Sequence, residues 1–212
     1  MVQTLQARTV TLEDLRSHFG LQLTTSYQFF SEWMDVHLEI ADPEKQRLDR
    51  VKENFLYLSQ SPPMVEDAVK MVVLSPLLDL AGFYATPFRM RAEVSIDVTA
   101  QDEDVMIRGQ IDGLVLLGQL WVLAIESKNM GIGLSTGIPQ ALSYMLADPI
   151  SDRPIFGLVT TGSEFVFLKL VQKPTPMYTT SRVFSMFSPV NELYDVLRIL
   201  KALGELVSKP LQ

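Results

Sequence analysis

The sequence predicts a mixed α/β fold, in which helices pack on both faces of a mixed β-sheet. Apolar residues recur at helical spacing up to about residue 81, and β-rich apolar runs separated by turn residues follow Gly82. One helical pattern lies between these runs and another closes the chain, an order typical of a sheet covered on both sides. Hydrophobic residues form 47% of the 212 residues, which allows one sizeable core and requires no more than one or two domains.

Four helices are predicted in the first part of the chain. They cover residues 11–19, 26–40, 43–60 and 64–81. Thr11 and Asp14 have the spacing of a capping box, and Gly20 follows the first helix as a stop signal. The Ser61-Pro62-Pro63 sequence interrupts the pattern because proline cannot continue a helix interior. We therefore predict an N-terminal helical extension over residues 1–61 and a second domain over residues 62–212.

The second part of the chain alternates between strands and helices. Three strands form a β-meander, at residues 92–99, 105–117 and 120–128, and the last two are joined around Gly118 and Gln119. A glycine-containing loop leads to a helix at residues 139–147. Three further strands are predicted at residues 154–160, 164–171 and 177–184. An amphipathic helix at residues 190–207 completes the prediction.

The composition excludes several classes of protein. The chain contains no cysteine, so disulfide frameworks, cysteine-based zinc sites and thiol nucleophiles are ruled out. Residues 1–11 lack a basic patch followed by an apolar run, and the most apolar stretch, residues 114–125, is short and interrupted. We therefore expect a cytoplasmic protein that does not enter a membrane.

The charge balance disfavours tight, independent binding of nucleic acid. Lys and Arg total 18 against 25 Asp and Glu, a formal net charge of −7, which opposes non-specific attraction to phosphates. The cations available for phosphate contacts are sparse: Arg89, Arg91, Arg108, Lys169, Lys173 and Arg182. A partner subunit or assembly into a homo-oligomer could provide the missing positive surface.

Ionisable residues interrupt two apolar predicted strands. Glu126 and Lys128 follow the apolar residues 121–125, and their two-residue spacing directs both side chains to the same face of the sheet. Asp112 immediately precedes Gly113 and a second apolar run. Burying such groups is costly unless they pair with each other, with a metal or with substrate. These residues are therefore candidates for a site at the ends of adjacent strands.

The three candidate residues suit hydrolysis at a phosphate group. Two carboxylates, from Asp112 and Glu126, supply the oxygen ligands that Mg²⁺ prefers, and the metal polarises a phosphate and activates water. The ammonium group of Lys128 can orient that water or stabilise developing charge. The residues thus predict a Mg²⁺ site, with Mn²⁺ as an alternative ion.

The ordered set resembles the PD-(D/E)XK nuclease superfamily, whose signature is an acid on one strand followed by acid, any residue and lysine on the next. Asp112 and Glu126-Ser127-Lys128 match that signature. The resemblance implies a restriction-endonuclease-like α/β fold, a Mg²⁺-dependent endonuclease activity on DNA, and the Ser127 carbonyl as a third metal ligand. Because acid-X-Lys alone is common, the specificity of this resemblance comes from the ordered set and its apolar strand context.

The resemblance extends to both sides of the signature. The helix that contains Glu66 is similar to the opening helix of the nuclease domain in type I restriction subunits, which implies that Glu66 assists the metal. Gln140 and Tyr144, four residues apart, resemble the glutamine and tyrosine motif of RecB-type nucleases, which implies that they border the active site. Simpler interpretations are helix-terminal placement for Glu66 and, for the pair, one surface residue and one core aromatic.

Two alternatives remain open from the sequence. Asp112, Glu126 and Lys128 could form a structural ion pair, or the chain could be a catalytically inactive nuclease-like binding or assembly module.

The register of the two strands decides whether Asp112 and Glu126 can lie together. A regular two-residue turn at Gly118-Gln119 would place Asp112 opposite Ile125 and on the opposite face of the sheet from Glu126. Bringing the two acids together therefore requires a three-residue loop or a bulge, for which the neighbourhood of Gly113 is the expected position.

Overall fold

The computed structural model describes residues 3–60, 62–100, 105–148 and 153–208, which form a mixed α/β structure around one nine-stranded sheet. The strands are β1 (Gln3–Gln6), β2 (Gln22–Leu23), β3 (Phe88–Thr99), β4 (Val105–Leu117), β5 (Leu120–Ser127), β6 (Ile155–Thr160), β7 (Glu164–Val171), β8 (Met177–Thr180) and β9 (Phe184–Ser185). Their order is β1-β4-β5-β6-β7-β8-β2, with β3 beside β4 and β9 beside β7. The pairs β1–β4, β5–β6 and β2–β8 are parallel and the others are antiparallel. The predicted mixed sheet is confirmed.

Helices cover both faces of this sheet, as predicted. They are α1 (Leu12–Phe19), α2 (Asp42–Leu58), α3 (Glu66–Val69), α4 (Ser75–Leu80), α5 (Leu134–Met145) and α6 (Leu193–Ser208). A π-helical turn, Lys70–Leu74, joins α3 to α4. Buried residues of α2, α3, α4 and α6 belong to one hydrophobic cluster, whereas those of α1 and α5 belong to a second. No helix in the described residues is long and apolar enough to cross a membrane.

The predicted helix at residues 26–40 is wrong. The chain forms a 3₁₀ segment, Tyr27–Trp33, with non-helical backbone angles at Phe30 (φ −132°, ψ 59°). The Phe30 side chain is buried, and its ring stacks on Phe156 with centroids 5.9 Å apart. Anchoring of this aromatic residue in the core therefore determines the backbone path, where the sequence pattern favoured a regular helix.

The N-terminal region contains strands as well as helices, so its prediction as purely helical is corrected. β1 pairs with β4, and β2 pairs with β8. These strands have four and two residues, too few for a period-2 pattern, and their partners lie far away in the chain. Ser61, the predicted boundary residue, lies outside the described residues, and the division into two domains stays a prediction.

Several predicted boundaries in the second part of the chain also change. Strand β3 begins at Phe88, before the predicted start at residue 92. Helix α5 begins at Leu134, five residues before the predicted start, and Pro139 lies inside it. The predicted strand at residues 177–184 divides into β8 and β9, which pair with different parts of β7. Proline was a misleading start signal here because it is only favoured at the first helical turn and is not confined to it.

The hairpin of β4 and β5 contains a bulge, which is needed to bring Asp112 and Glu126 to the same face of the sheet. Its turn is regular, with Leu117 opposite Leu120 and Leu116 opposite Trp121, but Val115 then pairs with Leu123. Val122 is therefore the extra residue, so the bulge lies in β5 and not at Gly113 as expected. Beyond it, Gly113 pairs with Ile125, and the next position places Asp112 opposite Glu126.

Candidate functional site

Asp112 lies in a gap between two strands that share one edge of β4. β1 pairs with residues 105–108 of β4 and β5 pairs with residues 113–117, which leaves residues 109–112 between them. Oδ2 of Asp112 accepts hydrogen bonds from the Ser127 backbone N–H at 2.7 Å and from the Ser127 hydroxyl at 3.1 Å. The Asp112 carboxylate thus links β4 to β5 beyond their last backbone pair. These hydrogen bonds hold Asp112 beside the Glu126–Lys128 segment.

Glu126 is almost fully buried, with 2% of its surface exposed. Its Oε1 accepts a hydrogen bond from Lys128 Nζ at 2.5 Å. No described residue donates a hydrogen bond to its other oxygen, Oε2. A buried carboxylate oxygen without a partner is unfavourable, and such exceptions in native proteins call for a cation, a water molecule or a catalytic role. Oε2 is therefore an available ligand atom at the centre of the site.

The environment of Glu126 favours its protonated form. Burial and the nearby Asp112 carboxylate raise its pKa to about 8 from an ordinary value of 4.5, although the hydrogen bond from Lys128 acts in the opposite direction. A bound divalent cation would oppose this effect by stabilising the ionised carboxylate.

A chain of hydrogen bonds connects Lys128 to helix α5 and to β4. Lys128 Nζ donates to Oε1 of Gln140 at 2.6 Å, and Gln140 Nε2 donates to the Tyr144 hydroxyl at 2.7 Å. That hydroxyl donates to the Gln110 carbonyl at 2.8 Å, in the β4 segment between β1 and β5. Burial and Glu126 raise the pKa of Tyr144, so its hydroxyl stays a donor. Gln140 and Tyr144 are both buried, and the structure brings them together with Lys128.

Lys70 is a central residue of the site that the sequence analysis missed. Its ammonium group lies 2.8 Å from Oδ1 of Asp112 and 3.0 Å from Oε1 of Glu66. Burial lowers the pKa of Lys70, but hydrogen bonds from it to Asp112 and Glu66 outweigh that effect and raise it. Glu66 therefore connects to Asp112 through Lys70. The four-residue spacing between Glu66 and Lys70 was the available sequence signal, because such positions share one helix face.

Asn129 is a second residue that the sequence analysis missed. Its Oδ1 accepts the Glu66 backbone N–H at 2.7 Å, and the Met130 N–H donates to the Met64 carbonyl at 3.1 Å. The loop after β5 is thereby attached to the start of α3. No local pattern indicates this contact, since the two segments are about 60 residues apart in the sequence.

The residues at this site fit a hard divalent cation through oxygen ligands. Asp112 and Glu126 supply carboxylates, and one buried oxygen of Glu126 has no hydrogen-bond partner among the described residues. Within the described parts of the chain, no group of three or more His, Asp or Glu side chains is arranged to hold a metal. A metal at this site would thus take two carboxylates and complete its coordination with backbone, water or substrate oxygens.

Comparison of the chain with models of known protein families finds no match. Comparison with curated protein sequences finds none either. The functional proposal therefore depends on the residues of this chain.

Proposed function

We propose that this protein is a Mg²⁺-dependent endonuclease that hydrolyses DNA phosphodiester bonds. One observation carries the proposal: Asp112 and Glu126 come to neighbouring positions on adjacent strands, and the buried Oε2 of Glu126 has no partner among the described residues. Carboxylates are seldom buried without pairing, and a pair of them beside a lysine provides the ligands and the charge that phosphate hydrolysis requires.

In this proposal Asp112, Glu126 and the Ser127 carbonyl would hold the metal, which supplies Lewis-acid activation of the phosphate and of the attacking water. Ser127 donates its N–H and hydroxyl to Asp112 and so fixes the orientation of that carboxylate. Lys128 donates hydrogen bonds to Glu126 and Gln140, and in this proposal its ammonium group would orient the water or stabilise charge on the phosphate.

The order of residues supports a PD-(D/E)XK nuclease with a restriction-endonuclease-like fold. Asp112, the Glu126–Lys128 segment and the Gln140–Tyr144 pair follow the order of that superfamily, and Glu66 precedes them on a helix. Asp112 bonds to Ser127, and Lys128 bonds to Glu126 and Gln140, which in turn bonds to Tyr144. Lys70 connects Glu66 to Asp112. These contacts support one shared site. We also propose a cytoplasmic protein that acts with a partner subunit or as a homo-oligomer, since the net charge of −7 disfavours DNA binding by one chain alone.

One observation favours a second function, that of a catalytically inactive nuclease-like binding or assembly module. Each acid of the site already has a cation from the chain, Lys70 for Glu66 and Asp112, and Lys128 for Glu126. A site of this kind that never admits a metal would be an internal ion-pair network with a structural role.

Calorimetric titration of Mg²⁺ and Mn²⁺ into the wild type and Asp112→Asn tests the proposal, together with cleavage assays on double- and single-stranded DNA. Asp112→Asn retains an oxygen that can accept the Ser127 N–H but removes the charge. The matched control is Asp97→Asn, which removes the carboxylate of β3 that pairs with the exposed Arg108 of β4.

Metal binding and cleavage in the wild type and in Asp97→Asn, with loss of both in Asp112→Asn, would support the nuclease. Absence of metal binding in the wild type would reject it in favour of the inactive module. Metal binding that Asp112→Asn leaves unchanged would reject the assignment of the ligands.

A further inference from the structure

The structure reduces the sparse set of candidate phosphate-binding cations to two neighbours on one strand. Arg108 pairs with Asp97, Lys169 pairs with Glu32, and Arg182 pairs with Glu192 and Asp195. Lys173 also has an interaction within the protein, so these four cations are engaged. Arg89 and Arg91, both exposed on β3, form no hydrogen bond or ion pair with any described residue.

The register of the sheet places both arginines beside the site. Arg91 pairs with Leu114 on β4, and Leu114 pairs with Ala124 on β5, so their side chains form one row on one face of the sheet. The next positions, two residues along the strands, are Glu93 on β3, which has a left-handed backbone (φ 54°), Asp112 on β4 and Glu126 on β5. Two residues along a strand span roughly 7 Å. The row of Arg91 is thus the immediate neighbour of the row of the two carboxylates.

Arg89 lies on the same strand as Arg91, on the side farther from the site. It pairs with Leu116 and lies two residues from Arg91, so both guanidinium groups leave the same face of β3. β3 pairs only with β4 among the described strands, so its other edge carries no strand there. The exposed Glu93 lies two residues from Arg91 on the side of the site, opposite Asp112, and forms no ion pair with Arg91.

We propose that Arg89 and Arg91 form a phosphate-binding strip that guides a DNA strand across β3 into the site at Asp112 and Glu126. This inference rests on the proposed nuclease function, which it deepens by assigning a substrate-binding surface. Guanidinium groups bind phosphate oxygens through paired donors, and exposed arginines without carboxylate partners are free to do so. The strip also reconciles DNA binding with a net charge of −7, because the cations are concentrated next to the reacting position.

The test compares two double variants that remove the same charge. Arg89→Ala/Arg91→Ala removes the strip. Arg16→Ala/Arg50→Ala removes two exposed arginines on α1 and α2 that also have no partner among the described residues. The affinity for a fluorescein-labelled 30-base-pair DNA duplex is measured by fluorescence anisotropy in Ca²⁺ at several salt concentrations, and metal binding and cleavage are measured in parallel.

We expect the strip variant to weaken DNA binding by tenfold or more and to lower the slope of log affinity against log salt by about 1.8, the effect of losing two phosphate contacts. The control variant should bind like the wild type. Equal effects of the two double variants, an unchanged salt slope, or a wild type that does not bind the duplex would overturn the inference.

The outcomes separate this inference from the proposed function. Metal-dependent cleavage by the wild type together with normal DNA binding by the strip variant would reject the strip and leave the nuclease intact. DNA binding that depends on Arg89 and Arg91, in a wild type that neither binds metal nor cleaves, would support the strip and reject the nuclease.

Discussion

The ammonium group of Lys70 lies 2.8 Å from Oδ1 of Asp112, although the two residues are 42 positions apart in the sequence. The same ammonium group contacts Glu66 at 3.0 Å, so one side chain from the π-helical turn forms ion pairs with two acids of the site. π-helical turns are frequent at functional sites. Lys70 thus places an ammonium group of the chain beside Asp112, at the carboxylate that the proposed metal ion would bind.

Lys70→Met should tighten Mn²⁺ binding. In the wild type the metal must compete with the ammonium group for Asp112, and removal of that competitor should raise the affinity by about tenfold, or ~1.4 kcal/mol. The measurement is calorimetric titration, with folding checked by circular dichroism. Lys45→Met, which removes an exposed lysine paired with Asp42 at 3.2 Å, is the control and should change nothing. Weaker binding in Lys70→Met would show that Lys70 supports the metal site.

Lys128→Met should destabilise the protein because it leaves the buried Glu126 without its cation. At pH 9, above the pKa of about 8 of Glu126, we expect the free energy of unfolding to fall by about 3 kcal/mol, typical of breaking a buried ion pair. Urea denaturation gives this value. The double variant Glu126→Gln/Lys128→Met removes both charges and should recover most of the loss. If both variants are equally destabilised, the packing of Lys128 and not its charge is responsible.

Glu126→Gln should change how stability depends on pH. Folded Glu126 keeps its proton up to about pH 8, whereas the unfolded chain releases it near 4.5. Between these values the folded state binds more protons, so this residue's contribution to stability is largest below pH 4.5 and falls as the pH rises to about 8. The difference between Glu126→Gln and the wild type should therefore grow with pH by about 1.4 kcal/mol per unit.

Urea denaturation in EDTA at pH 5, 6.5 and 8 measures this difference. The two proteins differ only at residue 126, so the difference reports the titration of Glu126 together with its electrostatic coupling to neighbouring groups. We expect nearly equal stabilities at pH 5 and a more stable variant at pH 8. Parallel pH profiles would contradict the raised pKa.

Gly109→Ala should disturb the hydrogen bond between Tyr144 and the Gln110 carbonyl. A Cβ atom at Gly109 would lie 2.5 Å from the Ala7 Cβ and 2.8 Å from Cε1 of Tyr144, closer than atoms can pack. We expect a loss of about 1–3 kcal/mol in the free energy of unfolding, the usual cost of overpacking. Gly133→Ala, whose nearest contact would be Ser135 Oγ at 3.4 Å, is the control and should lose much less. Equal losses would argue against close packing at Gly109.

Much of the secondary structure was predictable because its signals are local. The bounds of β4 and β7 agree with the predicted strands at residues 105–117 and 164–171. Helix α1 begins with a capping box of Thr11 and Asp14 and ends at Gly20 in the left-handed conformation. In these segments periodicity, caps and turn residues all favour the same element, so the prediction did not depend on distant parts of the chain.

The candidate site was predictable only in part. The spacing of Glu126 and Lys128 within an apolar strand indicated that both side chains share a face, and the structure joins them directly. The sequence could not indicate which residue forms the bulge, because Val122 is apolar like its neighbours. Nor could it place Lys70 against Asp112, since that contact depends on how a helix packs over a sheet edge.

The sequence by itself determined where the apolar strands run, which of their positions carry acids and a lysine, and where α1 begins and ends, because backbone propensity and side-chain periodicity act over a few residues. The tertiary structure decided the one-residue bulge at Val122, the parallel strands β1 and β2, and the insertion of Lys70 between Glu66 and Asp112. These features follow from pairing and packing between distant segments, and a shift of a single residue in the pairing reverses which face a side chain occupies.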